Sequence, residues 1–168
     1  ILGLIMGLEK FLFGGAIIST IFIVILTITG NTELIENDNW EIEETCLGSH
    51  SSGISHTHST LSIFIDGDEI SIPQNIGIQD SVCPDGMRGI HTHDDSGRLH
   101  IETPSQVDAP VGAFFNIWGE NFNSEQIFDN IANSDNEVVM RVNGVINDEF
   151  ENYIMLDGDN VEIFYQEK

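Results

Sequence analysis

The chain has 168 residues, with 28 Asp and Glu against 5 Lys and Arg, for a formal net charge of −23. Such a surface repels phosphates, which excludes DNA and RNA as partners, and it gathers cations. The length allows one compact domain and an appendage, and no G-x-S-x-G, P-loop or dinucleotide fingerprint is present.

The appendage comes first. Phe11 to Thr29, "FLFGGAIISTIFIVILTIT", is uncharged over 19 residues. As a helix it rises about 28 Å, close to the hydrocarbon thickness of a bilayer. It shows no polar face, as a soluble core helix would. The run is long for a signal core and "TITG" is a poor cleavage site, so an uncleaved anchor over residues 1–30 is expected. Gly14, Gly15 and Ala16 offer a small-residue surface for another membrane helix. Lys10 precedes the span, whereas Glu33, Glu36, Asp38, Glu41, Glu43 and Glu44 follow it. The positive-inside rule then puts the N-terminus in the cytoplasm and the rest of this single-pass chain outside the cell membrane.

Residues 31–53 read as an acidic stalk and linker, and residues 54–168 as a β-rich extracytoplasmic domain. In "LSIFI" at 61–65, Leu61, Ile63 and Ile65 alternate with Ser62 and Phe64, Asp66-Gly67 turns, and Ile70 and Ile72 resume the alternation, which is a hairpin pattern. A loop fills 74–89. A second hairpin follows, with strands 90–93 and 98–102 about a turn at Asp94–Gly97. Phe114, Phe115, Trp118 and Phe122 recur at helical spacing, which predicts a helical region over 112–130 with its aromatic stripe in the core. "EVVMRVNGV" and "DNVEIFYQE" read as late strands, with turns at Asn143-Gly144 and Asp157-Gly158. The expected fold is mostly β (α+β), a small antiparallel domain that is β-grasp-like or a sandwich. In an oxidising exterior, Cys46 and Cys83 invite a disulfide; metal thiolates are the other option.

All six histidines lie between residues 50 and 100. Alternate strand residues share a face, so His56 and His58 point together, as do His91 and His93. His100 joins them if Arg98, His100 and Glu102 share that face and Leu99 and Ile101 enter the core. Five convergent imidazoles are ligands for copper or zinc. Asp94, Asp95 and Glu102 stand near enough in sequence to accept the far N–H of a ligating ring and fix its tautomer. His50, flanked by Ser and Gly, is the weakest candidate.

"HTHSTLSIFIDGDEISIPQNIGI", "IHTHDDSGRLHIETP" and "FFNIWGENF" together resemble an uncharacterised family of membrane-anchored or secreted proteins of archaea and actinobacteria. The likeness covers about residues 54–165. Its most specific part is H-T-H-D-x-S/T-G-x-x-H-I-E, matched at His91, His93, Asp94, Gly97, His100, Ile101 and Glu102. It implies that the histidines act together and transfers no activity. The expected function is transition-metal binding outside the membrane, as a metal-handling protein or an accessory subunit. Its partners would be the lipid bilayer and other membrane subunits, met through the anchor helix and the external domain. Two alternatives remain open. One is a small zinc-dependent hydrolase or hydratase with a three-His site and Glu102 or Asp94 as general base. The other is a docking module whose histidines only hydrogen-bond.

Overall fold

A computed structural model describes residues 40–48 and 55–168. The apolar run 11–29 and His50 lie outside these residues; among the described residues, no helix is long and apolar enough to cross a membrane. Helix α1 (Glu41–Glu44) and strand β1 (Cys46–Leu47) lead into a long strand β2 (Ser55–Ile65) and its hairpin mate β3 (Asp68–Ile70). Strands β4 (Met87–Arg88), β5 (Ile90–His91) and β6 (Arg98–Thr103) follow, then helix α2 (Val111–Trp118). Three two-residue strands come next: β7 (Phe122–Asn123), β8 (Gln126–Ile127) and β9 (Asn130–Ile131). The last elements are β10 (Asn136–Val142), β11 (Val145–Ile146), a 3₁₀ turn at Phe150–Asn152 and β12 (Asn160–Glu167).

The main sheet has the order β11-β10-β12-β2-β6-β5, with β3 also beside β2. β12 runs parallel to β2, and every other pairing in this sheet is antiparallel. "SHTHSTLSIFI" makes one strand because it is rich in β-branched residues and alternates throughout. Ser59, Leu61 and Ile63 turn to the core, and His56, His58 and Thr60 to the other face. Along one edge, β2 pairs with β6 over 55–60 and then with β3 over 63–65. Gly97 makes this handover. Its carbonyl accepts the Leu61 N–H at 2.9 Å, its φ is +77°, and a Cβ there would lie 2.2 Å from the Leu61 carbonyl oxygen. Only glycine fits such a close approach at positive φ.

Asp66-Gly67 and Asn143-Gly144 both take positive φ at both positions, as type I′ hairpin turns require. Helix α2 covers the core face, with Phe114 and Phe115 fully buried among Leu61, Ile63, Leu99, Met140 and Ile163. Each such ring contributes roughly 1.5–3 kcal/mol by leaving water.

Two expectations change. The helical region predicted over 112–130 stops at Trp118, because Gly119 adopts φ +84° and its N–H returns to the Phe115 carbonyl. The chain then forms the β7-β8-β9 sheet, so Phe122 reaches the core from a strand and not from the helix. Residues 40–48, assigned to an acidic stalk, belong to the domain. Ile42 is fully buried and Leu47 nearly so, the Gly89 N–H bonds the Thr45 carbonyl, and β1 pairs with β4. Within the acidic run, Ile42, Glu43 and Leu47 are buried while Glu41 and Glu44 face water.

Candidate metal centre

Strand register builds the centre. His58 stands directly opposite His100, and His56 opposite Glu102, across the β2–β6 pair. On the other side of β6, His91 of β5 stands opposite His100. Directly opposed side chains have Cβ atoms about 5 Å apart. The sequence therefore lays a row of three imidazoles, His58–His100–His91, across three adjacent strands. Leu99 and Ile101 flank His100 on the core face and are buried, which anchors the row.

One set of nitrogens is tightly drawn. His56 Nε2 lies 3.1 Å from His58 Nε2, which lies 3.2 Å from His100 Nδ1. Nitrogens bonded tetrahedrally to zinc at about 2.0–2.1 Å would be about 3.3 Å apart, so these hydrogen-bond spacings are also short enough for one ion to replace the shared protons. Glu102 Oε1 adds an oxygen 3.2 Å from His56 Nε2. A second set comprises His91, His93 and His100, and in each triad one ligand atom per ring lies within 4.8 Å of the others. These residues can hold a metal ion.

The protein fixes the rings from outside. His91 Nδ1 lies 2.9 Å from the Arg88 carbonyl oxygen. A carbonyl only accepts, so Nδ1 carries the hydrogen and the neutral ring presents its lone pair at Nε2. That nitrogen faces Glu102 Oε1 at 4.0 Å. The backbone of His58 is pinned by its N–H to Asp157 Oδ1 at 3.0 Å and by the Gly158 N–H to its carbonyl at 2.7 Å. Glu102 is fully buried, and so is His91, whereas His56 is exposed. A buried carboxylate beside two imidazoles is placed to hold ligands or to share a cation's charge. Replacing Glu102 with Gln keeps its shape and removes its charge. The expected result is a 10–100-fold weaker metal affinity with an unchanged circular dichroism spectrum; an affinity within twofold of wild type would rule out this role.

Crowding sets the proton affinities. His100 falls from 6.5 to about 4, chiefly because burial disfavours its charged form, and further through repulsion from His58, His93, His91 and Arg98. His58 is lowered as well, first by burial and then by Arg98 and His56. Lowered values leave nitrogen lone pairs available for a metal under mildly acidic conditions. They also tie stability to pH. As pH falls below 6.5 the unfolded chain takes up the His100 proton before the folded one does, so stability is complete above that value and is lost progressively toward about 4. In metal-free protein, the urea midpoint of wild type should fall more steeply across this window than that of His100→Gln. Parallel curves would contradict it.

The five histidines expected to converge, His56, His58, His91, His93 and His100, come together as two overlapping triads. Glu102 lies among them. Asp94 is instead engaged in its own turn, where Oδ1 accepts the Ser96 N–H at 3.0 Å and the Ser96 hydroxyl. These bonds, with weaker help from His100 and His93, hold its carboxyl below the ordinary range. Asp95 is exposed on the same turn. Cys46 and Cys83 form a disulfide with Cα atoms 5.6 Å apart, so neither thiol is a ligand.

The chain matches no family model, no curated protein and no solved structure. The geometry of the centre is set by this chain's own strand register. That geometry also supplies what no sequence motif signals. The Arg88 carbonyl orients His91 from three residues away, and Asp157 orients His58 from 99 residues away. The Asp157 contact had a trace in the Asp-Gly turn, but nothing in the sequence ties that turn to β2.

Proposed function

We propose that this chain is a membrane-anchored, extracytoplasmic protein that binds a transition metal, copper or zinc, as a metal-handling protein or an accessory subunit of a larger membrane complex. The reading is carried by one observation, the spacing of His56 Nε2, His58 Nε2 and His100 Nδ1 at 3.1 and 3.2 Å. Imidazole nitrogens with a carboxylate oxygen suit Zn²⁺ and Cu²⁺ rather than Cu⁺, which prefers thiolate and thioether donors. The uncharged run 11–29 and Lys10 support the anchor and its orientation. A disulfide supports an oxidising exterior. The sheet order supports a β-grasp-like frame: a central parallel pair, β2 and β12, has antiparallel mates outside it and a helix between the two halves.

The test uses the full chain in detergent, stripped with a chelator, given Zn²⁺ or Cu²⁺ and passed through gel filtration. Elemental analysis should find at least one ion per chain, with most of it lost in His56→Ala/His58→Ala/His100→Ala. A wild-type chain that retains neither metal would overturn the reading.

A further inference from the structure

The donors divide into two triads rather than closing as one set of five: His56, His58 and His100, and His91, His93 and His100. An ion with bonds of about 2.1 Å can join nitrogens no more than about 4.2 Å apart. The row across the sheet sets His58 and His91 on opposite sides of His100, two strands apart. Strands are spaced about 4.8 Å, so the backbones of these two residues are separated by about 10 Å. The rings keep this arrangement. His100 meets His58 edge-on at 4.5 Å and His93 edge-on at 4.6 Å between centroids, and it lies nearly parallel to His91 at 5.4 Å. The strand order thus puts His56 and His58 on one side of His100 and His91 on the other.

We propose that the five histidines form a two-ion centre in which His100 is shared, with one divalent ion in the exposed triad and one in the buried triad. This rests on the metal-binding reading above and adds stoichiometry and a bridge. His100 Nδ1 serves the first ion, as its 3.2 Å approach to His58 Nε2 indicates. The second ion would take the other ring nitrogen, Nε2. A neutral ring carries one N–H, so binding the second ion releases one proton to solvent and leaves a bridging imidazolate. Two nitrogen–metal bonds of about 2 Å plus the width of the ring put the ions on the order of 6 Å apart. Two dications that close repel each other, and the centre holds the charge to offset this. Glu102 is buried between the sets, with Oε1 3.2 Å from His56 Nε2 and 4.0 Å from His91 Nε2. The imidazolate adds a second negative charge on the line between the ions. The two positions also differ in access, since His56 is exposed and His91 fully buried. The outer ion can exchange with solvent, and the inner one is held behind it.

Copper(II) provides the probe. The full chain in detergent, loaded with Cu²⁺ and gel-filtered, should retain two ions per chain by elemental analysis. Two Cu²⁺ ions bridged by one ring couple magnetically, so the integrated electron paramagnetic resonance intensity should fall below the copper content. His56→Ala/His58→Ala should retain one ion with full intensity, and so should His93→Ala, which leaves the buried His91 in place. His100→Gln should lose the coupling. One retained ion in wild type would overturn the shared centre while leaving the metal-binding reading intact. Two ions with full intensity would overturn the bridge. No retained ion would overturn both readings. The wild-type spectrum needs no variant, so a misfolded mutant does not blunt the test.

Discussion

Replacing His100 with Ala is expected to weaken metal binding more than any other single substitution in the domain. The loss should exceed one-hundredfold, beyond the roughly 10–100-fold expected when a group that only orients a ligand is changed. The reason is position. His100 lies in the middle strand of three and belongs to both triads, so its removal takes a donor from each. His56, at the exposed end, belongs to one. The fold should survive, because the β6 side chains that hold the core are Leu99 and Ile101 on the opposite face. His100 is only half-buried, and near neutral pH its lowered proton affinity leaves it largely uncharged in folded and unfolded chains alike, so metal-free protein should keep its stability there. The measurement is competition for Zn²⁺ against a chromophoric chelator, alongside thermal melting of the metal-free chain. An affinity within a few-fold of wild type would mean that the imidazole row is not a ligand shell.

The row was legible in the sequence for a simple reason. Strand periodicity is two, and Leu99, Ile101 and Ile90 announce which parity enters the core. Once that is fixed, His91 and His100 must share the outer face, and "SHTHST" needs only to continue into "LSIFI" to bring His56 and His58 alongside. The Asp66-Gly67 and Asn143-Gly144 turns were legible because few backbones other than type I′ favour those pairs between alternating runs. What could not be read were the non-local pairings. Nothing in "NVEIFYQE" says that it runs parallel to β2, yet that pairing places Asp157 at the His58 N–H. The division of five histidines into two triads depends on which strand stands next to which, not on parity. The stalk was misread because Ile42 and Leu47 are isolated among acidic residues, and their burial depends on an edge strand some forty positions later. The aromatic stripe beyond Trp118 kept helical spacing by coincidence; Gly119 ends the helix, and tertiary packing recruits Phe122 from a strand.

That same edge predicts the second large effect. Removing the disulfide by Cys46→Ala/Cys83→Ala should cost about 4 kcal/mol, from the closure entropy of a loop of about 38 residues; the two cysteines are 37 positions apart. In urea this corresponds to a midpoint shift on the order of 2 M. The consequence should also reach the metal. Cys46 sits in β1 opposite Arg88 of β4. Arg88 forms an ion pair with Asp80, donates to the Glu43 carbonyl at 3.0 Å, and offers its own carbonyl to His91 Nδ1. The disulfide thus ties β1 to the loop that leads into β4, whose Arg88 carbonyl holds the buried imidazole in its tautomer. Without it, this edge opens more readily than the centre of the sheet, and the triad that contains His91 should loosen before the triad on β2 and β6. Zinc affinity should therefore fall less than in His100→Ala, and the loss should be confined to the fraction bound through His91 and His93. If the double variant kept wild-type stability, or lost zinc as completely as His100→Ala, the linkage from disulfide to Arg88 to His91 would not hold.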